Sequence, residues 1–252
     1  MRIFKSLLAC FSIYSKIKMP VTDLDSDDMR YVFIFFPLVG LVIGLIEFFV
    51  FYGCSYAGFN NILRVALLTV FPVIITGGIH IDGFMDVSDA FNSYGDREKK
   101  LAIMKDPHIG AFAVISLLVY GILYIGLLSE ITEKSIIPFC LGFVISRIMS
   151  GISVVTIKSA KDTGMISSVK DKSSEKTVLY FLVTMFIILF FVFIKYRPIN
   201  GIISCVISIC GYFVYKKKSL KELDGITGDT SGYYLCVMEL ILLAVAVLVS
   251  FF

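Results

Sequence analysis

Long apolar runs separated by short polar stretches set the pattern of this chain, and seven of them stand out: Tyr31–Tyr52, Ile62–Ile81, Ile109–Ser129, Ile136–Ile157, Thr177–Ile194, Ile199–Tyr215 and Tyr233–Phe252. A helix that crosses a hydrocarbon core about 30 Å thick needs roughly 20 mostly apolar residues. The runs supply or approach that length. Their apolar residues are continuous instead of alternating, which predicts helices and disfavours a β-barrel. The second run ends in the pair Gly77-Gly78, and the fifth and sixth are short. Only Lys195-Tyr-Arg-Pro198 joins those two, a spacing that predicts a tight helical hairpin with proline as the breaker. Residues 1–18 carry Phe4, Leu7, Leu8 and Phe11 among Lys5, Lys16 and Lys18, the pattern of an amphipathic helix lying on a membrane surface. Neither a repeat nor a linker divides the chain. The expected architecture is a single domain over residues 1–252: an all-α, polytopic helical bundle in the membrane, with about seven transmembrane helices plus cytoplasmic interfacial helices.

Composition excludes most alternatives. Of the 252 residues, 58% are hydrophobic and only 17% charged, against roughly 45–50% and 25% in soluble proteins. A soluble enzyme, a disordered chain, a nucleic-acid binder and a disulfide-stapled secreted domain all fail this test. The six cysteines are scattered, mostly in the apolar runs, and show no C-x-x-C pair.

The formal net charge of +3 says little, but its distribution fixes an orientation. The N-terminal segment and the polar stretches after the second, fourth and sixth runs hold 18 Lys and Arg residues; the opposite side holds four, Arg64, Lys134, Lys195 and Arg197, and Arg147 lies inside a run. Basic residues favour the cytoplasmic side. The N-terminus is therefore expected inside and the C-terminus outside, in the cytoplasmic (inner) membrane. Of 20 Asp and Glu residues, 16 fall in the four inward segments, so a charged substrate is expected to meet the protein at its cytoplasmic face.

The densest acidic cluster follows the second run. Asp82, Asp86 and Asp89 stand at i, i+4 and i+7, which puts three carboxylates on one helix face. Such a row repels itself unless a cation lies among it. Mg2+ takes oxygen ligands and commonly bridges carboxylates to substrate phosphates. Gly77, Gly78 and Gly83 would admit a ligand or a neighbouring backbone. The plain alternative is a solvated helix face. His80 is read as a helix-end histidine bonded to a neighbour in preference to a metal ligand. Further on, Leu101, Ile103 and Met104 interleave with Lys100 and Lys105 as in a second interfacial helix, where Arg97 and Lys105 offer contacts for phosphate oxygens or for anionic lipid.

Asp224-Gly-Ile-Thr-Gly-Asp-Thr-Ser-Gly232 reads as a flexible, hydroxyl-rich turn before the last span. Thr227 and Gly228 would present N–H groups to an anion and Asp229 another metal oxygen. Within the spans, Glu47 and Arg147 need a water-filled cavity or each other, so a structural ion pair and a substrate role both stay open for them.

These motifs, Gly77-Gly-x-His-x-Asp-Gly-x-x-Asp-x-x-Asp89, Arg97 with Leu101-x-Ile-Met-Lys-Asp-x-x-x-Gly110, and Thr227-Gly-Asp-x-x-Gly232, resemble those of the membrane-bound cobalamin 5′-phosphate synthase family, adenosylcobinamide-GDP ribazoletransferase. Phe36-Pro-Leu-Val-Gly40 with Gly44, Ser146-Arg147 and Gly164-Met165 also resemble it, so the likeness covers nearly the whole chain. The chain departs from the family's pattern at His108, where Arg is common, at Ala90 and Asp224, where Gly is common, and at Ile166. The resemblance implies that adenosylcobinamide-GDP and α-ribazole, or its 5′-phosphate, give adenosylcobalamin, or its 5′-phosphate, and GMP. Such a substitution at phosphorus calls for neutralised phosphate oxygens and in-line positioning. The expected roles follow: Asp82 and Asp86 hold Mg2+, with Asp89 and Asp229 completing or joining the site. Asp89 (or Asp229 across the cavity) takes the proton of the attacking hydroxyl. Arg97, Lys105, Arg147, Gly77, Gly78, Thr227 and Gly228 bind substrate and its phosphates. A homo-oligomer, or association with other cobalamin-assembly enzymes, stays open. The runner-up is a membrane phosphotransferase acting on CDP-alcohols, which uses a similar Asp-Gly block. A transporter would instead bury its acids in the spans and often show internal symmetry.

Overall fold

A computed structural model describes residues 2–20, 28–161 and 175–251; Gly164-Met165, Ile166, Lys170 and Lys172 lie outside these. The described residues form helices α1 (Arg2–Tyr14), α2 (Val32–Tyr56), α3 (Asn61–Thr76), α4 (Ile79–Asn92), α5 (Arg97–Ile103), α6 (Ala111–Ser129), α7 (Ile136–Thr156), α8 (Glu175–Tyr196), α9 (Pro198–Leu223) and α10 (Gly228–Val249). A 3-10 turn over Asp28–Tyr31 leads into α2. The only β pairing among the described residues is an isolated parallel bridge between Ser159 and Ile226.

Among the described residues, six helices are long and apolar enough to cross a membrane: α2 with its 3-10 turn, α6, α7, α8, α9 and α10. The expected second span is different. α3 and α4 pass the same test only as a pair bent by 92°, so the run Ile62–Ile81 is not one straight helix. It breaks at Gly77-Gly78, and α4 turns away from the spans. The expected hairpin is tighter than drawn: Arg197 alone separates α8 from α9.

The core is built around α7. Phe139, Phe143, Ile145, Ile148 and Met149 are buried, with α2, α8 and α10 packed about them. Gly40 and Gly44 face the backbone of Phe143 and Cys140, so small residues let α2 and α7 approach closely. On α6 and α8 the outward sides keep Leu118, Ile122, Ile188 and Phe191 exposed. Such a surface suits lipid, where helices satisfy their own backbone bonds.

Chain direction gathers the N-terminal helix, α4, α5, residues 157–161 and the α9–α10 connection at one end of the bundle. That connection is pinned. Asp224 has φ 57°, the only positive φ outside glycine among the described residues, and its carboxylate accepts a 2.5 Å ion pair from Lys158. The pair, with a hydrogen bond, holds the exposed Asp224 carboxyl below the usual range. Here the chain fills with a paired aspartate a left-handed position that glycine would occupy without strain.

Candidate active site

Gly77 and Gly78 take φ values of 66° and 79° in succession. Two left-handed residues end α3 and restart the chain as α4 across the end of the bundle, a geometry that a side chain would strain. Neither glycine lines the cavities described below, and their left-handed backbone aims α4. One side of α4 buries Phe84, Val87 and Ala90, with Phe84 stacked on Tyr233 at 5.6 Å. Asp82, Asp86 and Asp89 occupy the other side.

α10 brings the fourth acid. The last span starts at Gly228, earlier than expected, so Thr227-Gly228-Asp229 is not a flexible turn. Thr227 is the N-cap: its hydroxyl accepts from the Thr230 N–H, and the Thr230 hydroxyl accepts from the Thr227 N–H. Asp229 sits in the first turn of α10, where the helix dipole favours negative charge. Gly83 packs directly on it; an added Cβ would stand 2.8 Å from the Asp229 carbonyl oxygen.

Burial, then the charges of Asp82, Asp229 and Asp89 in that order, push the Asp86 carboxyl up to about 6. The four acids therefore share one electrostatic neighbourhood. Asp82, Asp86 and Asp89 make no ion pair among the described residues.

Two cavities meet at Asp82. The first, about 260 Å³, runs between α1, α2, α4, α7 and α10 and is lined by Asp82, Asp229, Thr227, Gly228 and Lys161 together with aromatic residues. The second, about 320 Å³, lies between α4 and the α5–α6 connection and takes in Asp82, Asp86, Asp89 and Lys105. Asp89 lies against Gly110 there. His108 is engaged locally, with Nδ1 2.7 Å from the Asp106 carboxylate.

A hard divalent cation suits such oxygen donors. Among the described residues, though, no three His, Cys, Asp or Glu side chains are close enough to hold a metal by themselves. Mg2+ is usually held by one or two carboxylates together with waters and substrate phosphates, in place of a closed protein cage. The donor set fits that shared mode.

Two basic residues stand elsewhere than expected. Arg97 lines neither cavity: its Nε donates to the Leu223 carbonyl at 2.9 Å and its Nη2 to the Ala160 carbonyl at 2.7 Å. It ties α5 to the segments that carry Lys161 and Thr227. Arg147 is buried in α7, and its partner is Glu239, not Glu47; Nη1 donates to Glu239 Oε1 at 2.6 Å. It borders a third, largely apolar cavity of about 290 Å³ inside the bundle. Both Glu47 carboxylate oxygens are buried without a hydrogen-bond partner.

Sequence reasoning missed three lining residues. Lys161 counted only as a loop charge, Ser150 drew no reading, and His80 was expected to be bonded to a neighbour. His80 is buried with Nε2 unpartnered, as is the Ser150 hydroxyl. A serine inside an apolar helix and a histidine beside a span were the available signals.

The fold and this site define a multi-pass helical membrane protein whose acidic cavities lie at one end of the bundle. The chain belongs to the cobalamin-5-phosphate synthase family, whose model matches residues 6–247. It is 39% identical over 240 residues to the adenosylcobinamide-GDP ribazoletransferase of Lachnoclostridium phytofermentans, covering 95% of this chain and 92% of that protein. Identity is 33% over 245 residues to the protein of the same name from Clostridium botulinum strain Alaska E43, 95% of each chain. For that of Acinetobacter baumannii strain ACICU it is 32% over 223 residues, 87% of this chain and 86% of the relative. No solved structure matches the chain.

Proposed function

We propose that this protein is an adenosylcobinamide-GDP ribazoletransferase that joins adenosylcobinamide phosphate to a ribose hydroxyl of α-ribazole, or of its 5′-phosphate, and releases GMP. The observation that carries the reading is the convergence of Asp82, Asp86 and Asp89 on α4 with Asp229 on α10, in a chain matched to the family over nearly its full length.

The ribose hydroxyl attacks the phosphorus that bears the cobinamide ester, and the bond from that phosphorus to the GMP oxygen breaks. GMP leaves with the bonding electrons. Asp89 takes the hydroxyl proton onto a carboxylate oxygen, with Asp229 as the alternative acceptor. Lys105, in the cavity with Asp89, offers its ammonium to phosphate oxygens. Lys161, Thr227 and Gly228 line the other cavity, where the first turn of α10 presents backbone N–H groups. Asp82 and Asp86, with Asp229 nearby, would hold Mg2+, which would supply charge neutralisation of the phosphates. The chain's own task is alignment.

The site faces the cytoplasm in this reading, in the inner membrane, as the 18-to-4 basic asymmetry supports. An impermeant thiol reagent applied from outside should then label a cysteine placed at Thr132 but not one at Tyr94.

GMP release by purified protein in lipid, given adenosylcobinamide-GDP, α-ribazole and Mg2+, tests the function. No release with either form of ribazole sinks it. A CDP-alcohol substrate is the second reading, and turnover of one in the same assay would favour it.

A further inference from the structure

The cavity of about 260 Å³ between α1, α2, α4, α7 and α10 has two unlike ends. At one end lie the exposed Asp82 and Gly228 beside Asp229. The other is walled by Tyr14, Phe33, Phe36 and Leu235, all buried. Tyr14 and Phe36 stand 4.4 Å apart, and the His80 ring lies nearly parallel to Tyr14, at 18°. Two polar groups are set in this apolar wall. Ser150 is 1% exposed and His80 8% exposed, and Ser150 Oγ and His80 Nε2 have no hydrogen-bond partner. A buried polar group without a partner costs about 1–3 kcal/mol, so a ligand acceptor that pairs with either one is favoured at this wall.

We propose that this end of the cavity is the slot for the aromatic base of the nucleoside acceptor, whose one free ring nitrogen accepts a hydrogen bond from the Ser150 hydroxyl or the His80 Nε2–H. The assignment rests on the ribazoletransferase reading and adds which substrate group enters which cavity. Size excludes the corrin: sites for drug-sized ligands run about 300–1,000 Å³, and 260 Å³ holds a bicyclic base or a nucleoside but not a macrocycle. Chemistry separates the two bases that remain. Guanine presents several donors and acceptors along its edge, which one hydroxyl and one imidazole nitrogen would leave largely unpaired. A benzimidazole joined to ribose is apolar on its faces and has a single ring nitrogen free, an acceptor. A hydroxyl can donate to it, as can an imidazole N–H in the matching tautomer. With the base in the slot, the ribose extends towards Asp82 and Asp229, which favours Asp229, the alternative acceptor, over Asp89 for the hydroxyl proton.

The test compares α-ribazole with its indole counterpart, in which the free ring nitrogen is a C–H, using purified protein in lipid nanodiscs with Mg2+. Wild type should use the indole acceptor at least about tenfold less efficiently, because the slot's polar groups then stay unpaired. In Ser150→Ala combined with His80→Phe that discrimination should shrink to about twofold, carried by the KM for the acceptor. The KM for adenosylcobinamide-GDP should not move. Wild type that accepts both equally overturns the slot while GMP release leaves the functional reading standing; this comparison needs no variant to fold. A variant that raises the KM for adenosylcobinamide-GDP instead overturns it as well. No GMP release from wild type with either acceptor removes the functional reading, and the slot with it.

Discussion

Gly83 and Asp229 are in backbone contact: a methyl group on Gly83 would lie 2.8 Å from the Asp229 carbonyl oxygen and 2.9 Å from its Cα. That contact sets the spacing between the acidic row of α4 and the acid of α10. Gly83→Ala must push the two helices apart, since neither backbone group can rotate away. Displacements of about 1 Å in a catalytic array cost about 10²-fold in rate, so kcat should fall on that order while the protein still inserts and purifies. Near-normal turnover would show that Asp229 and the α4 acids work independently.

Asp82→Asn and Asp86→Asn keep side-chain size and remove charge. Each should abolish GMP release, and added Mg2+ should not restore it, if these carboxylates hold the cation. The check is a Mg2+ titration of turnover by each variant. Should both variants keep near-normal rates at ordinary Mg2+, the row is a solvated helix face.

Much of this arrangement is legible in the sequence, and what is not has a common cause. The spans follow from run length, and the acid row follows from i, i+4, i+7 spacing on one helix. The 92° turn at Gly77-Gly78 was signalled only as a glycine pair, because its angle depends on where α4 finds a partner surface. Arg97 is the clearest case. A basic residue beside an acidic cluster reads as a phosphate ligand, yet its donors go to the carbonyls of Leu223 and Ala160, residues 126 and 63 positions away. Backbone acceptors at that separation leave no trace in composition or spacing. Arg147 differs: its partner Glu239, 92 residues on, is a charged side chain inside an apolar run, so only the pairing was hidden.

The pH dependence turns on Asp86, held near 6 against an ordinary 3.8 chiefly by burial. Between these values the folded protein keeps a proton that the unfolded chain has released, so stability falls as pH rises through this window. Metal-free protein in detergent should therefore melt at lower temperature at pH 7 than at pH 5. Asp86→Asn should flatten that slope. Added Mg2+ should recover stability above pH 6 and do little below it, where the proton competes for the same oxygen. A melting temperature that rises from pH 5 to pH 7 without metal in wild type, and equally in Asp86→Asn, would assign the dependence to other groups.

Arg147 and Glu239 form an ion pair inside the bundle. Removing one member of a buried pair typically costs about 3–5 kcal/mol, whereas replacing both with apolar side chains is often close to neutral. Glu239→Leu alone should thus lower the melting temperature far more than Arg147→Met with Glu239→Leu together. If the double variant is stable yet inactive, Arg147 also serves the substrate; if it is stable and active, the pair is structural only.

Asp89 is the remaining acid to assign. It shares the 320 Å³ cavity with Lys105 and Asp86 and lies against Gly110, one turn of α4 beyond Asp86. Asp82 and Asp86 are poor bases if they are committed to a cation, since metal binding favours their ionised, coordinated form. A carboxylate beside the phosphorus but outside the coordination shell is better placed to accept the hydroxyl proton. Asp89→Asn should then lower kcat strongly and leave the KM for both substrates and the Mg2+ requirement nearly unchanged, the pattern of an interaction made only in the transition state. General-base catalysis contributes about 10²–10⁴-fold, which bounds the loss. Normal kcat with a much raised Mg2+ requirement would make Asp89 a metal ligand, and the same two measurements on Asp229→Asn would then decide whether the proton leaves on the α10 side of the cavity.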